Sequence, residues 1–570
     1  MVKLLDSKYE NKVLGFFLLL WTILNITQAY TLGIHSDEAY YWVYSKLLDW
    51  GYYDHPPMVA IFIFLGDHLV HNELGVRLTT VLTSTISLYL IWLIVKEYKA
   101  RVEWFILIVF GTFIFHIYGF ITTPDAPLFF FSVLFYYLYR QYLANDTWTM
   151  GVLLSLVIAC LLYSKYHSIL LILFTVISNV KLVKRPTFWL IIILSSLLYL
   201  PHILWQVNHG FPSMQYHIFE RSSTTYNPAH TYFYPLGQLL MSGPLIGWYL
   251  FYYIRGIKIT DAFIRCLVVN CIGIFVFFFL STIKGNVQPH WTLIGYIPFV
   301  ILVFVRSEQR GGFPKWLKRV AIINLCLIFA FRILLVLNFQ FVKNIKAIQS
   351  FYGYQTWETQ IHKKAGQNYV VIPGGFQDPS KYNFYSNSIK ALAYDQRSYR
   401  RTQYDIWPIE DSLQHKSVYY LSGSAIPELA TEKLLTEKGP YYGAWVKDLR
   451  TYQRVNISNK TYDIKVGRGA NLTFDLSIYN PYSQLISFSN KAQLHQVNLD
   501  ACFFQGDDEM LTQRIGDHFN EIKIESHKMA DLKVSILAPA IPGKYDLIFS
   551  IKTTPFPGGR NSRIIKVNVY

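Results

Sequence analysis

Charge is what this chain has least of. Only 15% of its 570 residues are Asp, Glu, Lys or Arg, against about 25% in a soluble globular protein. Hydrophobic residues make up 52% and aromatics 17%, so an ordinary water-soluble fold is excluded and a bilayer is required as solvent. Cysteine is nearly as scarce, at five. Cys160, Cys266, Cys271 and Cys326 fall inside apolar runs and only Cys502 lies in the polar C-terminal part, which rules out a disulfide within that part and any metal-thiolate spacing. A Gly-x-x-x-x-Gly-Lys-Ser/Thr loop and a Rossmann glycine pattern are both missing, so no nucleotide cofactor is expected. Internal repeats and low-complexity tracts are missing too.

What the chain has instead is long apolar runs. A hydrocarbon core about 30 Å thick needs roughly 17–25 residues per helix. Eleven candidates lie near 13–30, 78–95, 104–121, 126–143, 148–163, 168–180, 188–207, 231–254, 262–282, 291–305 and 320–341. Basic residues are retained on the cytoplasmic side of a membrane. Alternate connections here are plainly basic, with Lys3, Lys8 and Lys12 at the start, then Lys96, Lys99 and Arg101, Lys181, Lys184 and Arg185, and the run from Arg306 to Arg319. The intervening connections offer Lys46, Lys165, Arg221 and Lys284. The expected topology is a multi-pass plasma (inner) membrane protein with a cytoplasmic N-terminus and everything after about 342 outside. The formal charge of +16 is then largely a topology signal, with no nucleic-acid partner needed. Residues 1–30 also have the shape of a signal peptide, without a clear small-x-small cleavage site.

Beyond 342 the apolar runs give way to short alternating segments. Residues 343–450 read as a small α/β domain, with strands at Tyr369–Ile372, Val418–Leu421 and Ala444–Val446 and a helix over Pro427–Leu435. Residues 451–570 read as a β-sandwich, because apolar residues alternate at Leu472–Ile478, Leu532–Ile536, Tyr545–Ile551 and Ile565–Val569 with Pro-Gly turns between. The fold class is an α-helical polytopic membrane protein with a C-terminal extracytoplasmic α/β plus β-sandwich module, the membrane domain covering 1–342.

The chemistry-bearing residues cluster in the connections of the sparsely basic side. The first of these, 31–77, is long, and long connections carry function. It contains His35-Ser36-Asp37-Glu38-Ala39-Tyr40-Tyr41 and then Gly51-Tyr52-Tyr53-Asp54-His55-Pro56-Pro57. On a helix Asp37 and Glu38 point about 100° apart, so one can face a reaction and the other a structural partner. The competing reading is a pair of solvated loop acids. Pro56-Pro57 stiffens the backbone that presents Asp54 and His55. Asp54 can ligate a divalent cation or orient a hydroxyl, and His55 can bind a phosphate oxygen or serve as a second ligand. A proline-stiffened turn with His55 in a hydrogen bond is the plainer alternative. Asp125, in Pro124-Asp125-Ala126-Pro127, fits a helix N-cap as well as a site. Lys165 lies in Ser164-Lys165-Tyr166, His217 leads to Glu220-Arg221, and Lys284 precedes Gln288-Pro289-His290-Trp291. These cations can neutralise a lipid phosphate. Arg332 lies deep in the last apolar run, where a charge marks a cavity or partner. It either reaches a phosphate from below or snorkels to the interface. His116 reads as a packing residue.

Taken together, Asp-Glu-Ala-Tyr-Tyr, Gly-Tyr-Tyr-Asp-His-Pro-Pro, Pro-Asp-Ala-Pro, Ser-Lys-Tyr and Pro-His-Trp resemble the membrane glycosyltransferases of the GT-C class. The likeness is to the branch holding protein O-mannosyltransferases (the dolichyl-phosphate-mannose-protein mannosyltransferase family) and bacterial aminoarabinose transferases of lipid A, and it covers roughly 10–340. It implies a GT-C fold, a polyprenyl-phosphate sugar donor, and inverting transfer to a glycan, lipid or protein acceptor on the outer face. Asp37 is then the candidate base. A divalent metal, where one is used, maps onto Asp54 and His217. Relatives carry Lys before the double proline where this chain has His55, which leaves Lys165, Arg221 or Lys284 to replace it at the phosphate. A lipid-linked glycan flippase or transporter, and a glycan polymerase or ligase, are the competing functions. Transporters place polar groups near the midplane, whereas here they gather in connections.

Overall fold

A computed structural model describes residues 2–220, 226–337, 339, 343, 345–346, 348–394 and 397–570. The chain divides into two compact units, Met1–Tyr352 and Gly353–Tyr570. The first is helical. Its elements are α1 (Val2–Thr31), α2 (Ser36–Lys46), α3 (Met58–Asp67), α4 (Glu73–Val95), α5 (Val102–Gly111), α6 (Phe113–Tyr118), α7 (Asp125–Ala144), α8 (Trp148–Ser164), α9 (Ser168–Ser178), α10 (Pro186–Asn208), α11 (Pro212–Met214), α12 (Pro228–Ser242), α13 (Gly247–Tyr253), α14 (Ala262–Ser281), α15 (Leu293–Arg310) and α16 (Lys315–Leu337).

Six helices among the described residues are long and apolar enough to cross a membrane: Tyr9–Thr31, Glu73–Tyr98, Pro186–Asn208, Ala262–Ser281, Pro289–Arg310 and Lys315–Leu337. Six such helices leave the expected count of eleven unconfirmed, and the remaining apolar runs differ from these six for physical reasons. The run 104–121 breaks at Thr112, whose extended backbone separates α5 from α6. The run 231–254 breaks at Gly243, where φ is +135° and a Cβ would lie 2.6 Å from the Gly111 carbonyl oxygen, so glycine is required. α7 is long enough, but it carries four tyrosines with Arg140 and Gln141. α8 and α9, of 17 and 11 residues, are short. The long helices differ in role. Most of the segment Pro289–Arg310, 78%, is buried, whereas Lys315–Leu337, 22% buried, presents an apolar face outward. In hydrocarbon that face costs nothing to expose. Thr147, Asn72 and Asp261 cap the starts of α8, α4 and α14 with side-chain oxygens, satisfying amide donors that have no partner within a helix.

The second unit joins two parts. In the first, helix Tyr354–Ala365 leads to β1 (Val370–Pro373), helix Gln377–Tyr385, β2 (Ala391–Tyr394), β3 (Val418–Ser422), β4 (Glu432–Thr436) and β5 (Gly439–Val446). The sheet order is β2-β1-β3-β5-β4, with β1 parallel to both neighbours and β4–β5 an antiparallel hairpin. The helix expected over Pro427–Leu435 is absent: a turn precedes β4, and pairing with Gly439–Gly443 claims its backbone groups. In the second part β6 (Asn456–Ser458), β7 (Asp463–Val466), β8 (Asn471–Tyr479), β9 (Ile486–Ser487), β10 (Val497–Gln505), β11 (Asp508–Arg514), β12 (Lys523–Ile524), β13 (Met529–Leu537), β14 (Gly543–Thr553) and β15 (Ile565–Val569) build a sandwich. Sheet β11-β10-β14-β15-β7 faces β13-β8-β6, and Phe474 meets Phe549 edge-on across the core at 5.3 Å. The alternating runs are β8, β13, β14 and β15. Cys502 is buried and unpaired, and burial pushes its thiol up to about 11 despite the nearby Arg397.

Candidate active site

The site grows from the connection between α1 and α4. α2 begins with a capping box in which His35 accepts from the Asp37 amide and Glu38 accepts from the His35 amide at 3.0 Å. That geometry sends Asp37 and Glu38 in different directions. The Glu38 side chain is wholly enclosed, whereas Asp37 keeps 44% of its side chain exposed beside His35. Arg77, on α4, grips Glu38 with Nε at 2.8 Å and a terminal nitrogen at 2.6 Å. It also donates to the carbonyls of Ala29, Leu32 and Gly33. The Thr122 amide donates to Glu38 at 2.9 Å. One buried pair thus ties the end of α1, the start of α2, α4 and the turn before α7 together. Burial alone would raise the Glu38 carboxyl, but Arg77 and the two amides outweigh it and hold it below the ordinary carboxylate value.

Asp54 lies almost fully buried in the Pro56-Pro57 turn. Nε2 of His217 lies 2.9 Å from the Asp54 backbone carbonyl oxygen, and the His55 and His217 rings are 6.1 Å apart. Trp205 and His202 of α10 brace the same turn, bonding the Asp49 carboxylate and the Trp50 carbonyl. Among the described residues no three His, Cys, Asp or Glu side chains form a group able to hold a metal ion. His217 thus lies against the same turn as Asp54, through the Asp54 carbonyl.

Asp125 opens α7 without capping it; it is paired with Lys165, whose Nζ lies 2.8 Å from both carboxylate oxygens in a nearly dry environment. His290 stands 3.8 Å from the same carboxylate. The connection before α7, the α8–α9 junction and the start of the α15 segment therefore meet at one ionic cluster. Lys284 is exposed. Arg221 lies outside the described residues.

These clusters share one neighbour. The Tyr41 hydroxyl, on α2, is buried, and burial followed by the charges of Asp37 and Asp54, with a contribution from Asp125, pushes it far above the ordinary phenol range. Tyr118 lies within the fields of Asp125 and Asp37, and Tyr166 within that of Asp54. Three carboxylates, two from the α1–α4 connection and one from the turn before α7, thus act on the Tyr41 hydroxyl.

Arg332 requires a correction. It neither reaches toward this cluster nor snorkels: it is 2% exposed and donates to Gln28 at 2.5 Å and Asn25 at 2.8 Å, with His116 at 3.2 Å. His116 in turn meets the Phe110 carbonyl at 2.7 Å. Amide oxygens and an imidazole satisfy the guanidinium inside the bundle, joining α16 to α1 and α6. Sequence reasoning missed Arg77, which borders an apolar run. The signal available was a lone Arg at the mouth of a span on the sparsely basic side.

A multi-helix membrane bundle with its carboxylates gathered where connections meet is the class of protein these observations define. Residues 54–205 match the family model described as dolichyl-phosphate-mannose-protein mannosyltransferase; the match takes in Asp54, His55, Asp125 and Lys165 and begins after Asp37. Among solved structures, the crystal structure of ArnT from Cupriavidus metallidurans in the apo state has the same fold. It superposes with a TM-score of 0.55 at 14% identity, over 75% of this chain and 97% of that one. No curated protein matches the chain.

Proposed function

We propose that this chain is a membrane glycosyltransferase that moves a sugar from a polyprenyl-phosphate donor to a hydroxyl of a glycan, lipid or protein acceptor on the outer face of the plasma membrane. The observation that carries this reading is the half-exposed Asp37 carboxylate, fixed beside the buried Glu38–Arg77 pair in the same connection that holds Asp54. The family match over 54–205 and the ArnT-like fold support it.

Asp37 is the one carboxylate of the group that keeps substantial exposure while its backbone is fixed by the capping box and the Arg77–Glu38 pair. It acts as the base. The acceptor oxygen forms a bond to the anomeric carbon from the face opposite the phosphate, and the bond from that carbon to the phosphate oxygen breaks. Polyprenyl phosphate leaves with the electron pair, and the acceptor proton passes to Asp37. The leaving group already carries negative charge, so the site needs only to position it and to meet the added charge. His55, Lys165, His290 and Lys284 are the groups to meet the phosphate, with Arg221 a further candidate; Lys165 and His290 do so from the cluster around Asp125. Glu38 holds Asp37 in place and does not touch substrate. Asp54 shapes the wall on which the sugar rests. A divalent ion, where it binds, uses Asp54 together with substrate oxygens, and no step above depends on it.

The test incubates purified protein with a panel of polyprenyl-phosphate sugars and follows carrier release. Asp37→Asn loses turnover by roughly 10²–10⁴-fold, the contribution typical of a positioned base. Undiminished turnover by Asp37→Asn removes Asp37 from this role. A chelator that abolishes activity, with recovery on adding a divalent ion in the parent but not in Asp54→Asn, assigns a metal to Asp54; insensitivity to chelator leaves Asp54 a structural or hydrogen-bonding group.

A further inference from the structure

The second unit holds a cavity lined by none of the residues assigned above to the transfer. It has a volume of about 340 Å³ and lies where the ends of helices Tyr354–Ala365 and Gln377–Tyr385 approach the starts of β1 and β2. Pockets that hold small molecules begin at roughly 300 Å³. Two helices deliver its chemistry at helical spacing: Glu358 and His362 from the first, Tyr382 and Tyr385 from the second. Gly366, at φ +57° and ψ −133°, turns the chain back and brings Asn368 to the rim.

The character of the lining selects the ligand. Glu358 is 7% exposed, and burial raises its carboxyl above the ordinary value, with His362 pulling the other way. His362 Nδ1 stands 3.7 Å from Glu358 and 3.3 Å from the Tyr382 hydroxyl. Imidazole and phenol are thus hydrogen-bonded, with the carboxyl beside them, and all three line the cavity. Lys390, the cation at the mouth, donates to the carbonyl and side-chain oxygens of Gln367 at 2.8 and 3.1 Å. The lining holds one carboxyl, Glu358, and one lysine, Lys390, so their charges offset and the cavity carries no net positive field to select an anion. An apolar ligand would strand these polar groups without partners, at a cost of about 1–3 kcal/mol per group. A neutral molecule that offers several hydroxyls to planar polar side chains, and a C–H face to the Tyr385 ring, satisfies both requirements.

We infer that this cavity is a saccharide-binding site, separate from the transfer chemistry, that takes a neutral sugar ring with Glu358, His362 and Asn368 on its hydroxyls and Tyr385 beneath its face. It does not depend on the transferase reading, because it needs only a neutral glycan outside the bundle.

Saturation-transfer difference NMR on the full chain in detergent tests it. The probes are methyl glycosides of mannose, glucose, galactose and N-acetylglucosamine, with inorganic phosphate as the anion comparison. At least one glycoside shows saturation transfer that falls five-fold or more in Tyr385→Ala and in Glu358→Gln and is unchanged in Asp37→Asn. The parent and the Glu358→Gln and Tyr385→Ala variants are checked for equal protection of Cys502 from thiol labelling, so that loss of signal from an unfolded module is recognised; Tyr385→Phe, which retains the ring, keeps the signal. Absence of transfer for every glycoside overturns the inference. So does a signal that survives both site variants, one that disappears in Asp37→Asn, or phosphate displacing the glycoside.

Discussion

Glu38 and Glu410 are almost equally buried, at 0% and 1% exposure, one in each unit, and their carboxyls move in opposite directions. Glu410 accepts from the Thr451 hydroxyl, the Gln453 amide, the Arg454 amide and the Tyr482 hydroxyl. Burial raises it, and these donors, with the charge of Arg454, do not cancel that. Glu38 has fewer neutral donors but a guanidinium clamped on both oxygens, and it is held low. Neutral hydrogen bonds offset part of the desolvation of a buried carboxylate, and a full opposite charge in contact reverses it. The helical unit needs the stronger device because Glu38 organises Asp37.

The comparison breaks most visibly at Asp37, where the Asn variant is expected to lose turnover while retaining the fold, since Asp37 is partly exposed and its neighbour carries the structure. The next effect in size belongs to the clamp. Arg77→Met leaves Glu38 buried without its cation, and Glu38→Gln leaves Arg77 with a half-matched partner. Removing one member of a buried pair costs about 3–5 kcal/mol. The expected outcome is a large loss of monodisperse protein after detergent extraction for Arg77→Met, with part recovered in Arg77→Met combined with Glu38→Leu. Equal yields for Arg77→Met and the parent would show that the pair is not what holds α1, α2 and α4 together. Arg332→Met removes a satisfied buried guanidinium and leaves Gln28, Asn25 and His116 without their donor. The expected loss is smaller, about 1–3 kcal/mol, read as a lower melting temperature with the kcat of the surviving protein unchanged. A change in kcat would return Arg332 to the site.

Legibility in the sequence followed the range of the interaction. Apolar runs such as 78–95 and 262–282 are local properties, and the corresponding helices α4 and α14 stand where they were expected. Period-two alternation did the same for β8, β13, β14 and β15. The break at Gly243 was not legible, because its cause is the Gly111 carbonyl more than a hundred residues away. Pro427–Leu435 looks helical in isolation and becomes β4 only through pairing with β5. In the site, every connection that meets at Tyr41 could be named from motifs, but which carboxylate is clamped and which is open could not. The Glu38–Arg77 contact spans 39 positions and Lys165–Asp125 spans 40, and no local pattern encodes either. Lys165 is the instructive case. A cation on a sparsely basic side looked unpaired in the sequence, and folding sets it against Asp125.

The smallest expected effect sharpens the comparison through pH. The Glu410 carboxyl is raised, so the folded module holds its proton more tightly than the unfolded chain does. Stability from this group is greatest below the ordinary glutamate value of about 4.3 and declines as pH rises from there through the folded value. Glu38, being lowered, contributes stability that is present above that ordinary value and is lost as pH falls through its own folded value. The buried thiol of Cys502 reports the first of these directly, because labelling requires the module to open. In a chain whose other four cysteines are replaced by serine or alanine, the Cys502 labelling rate, divided at each pH by the rate of the same chain in denaturant so that the thiolate fraction of the open form cancels, is expected to rise as pH goes from 4 into the neutral range. Glu410→Gln flattens that segment, while raising the labelling rate overall, because its amide cannot accept from all four donors at once. A pH slope that Glu410→Gln leaves intact would assign the titration to another group, and the four neutral donors would then suffice to hold a buried carboxylate without a cation in contact.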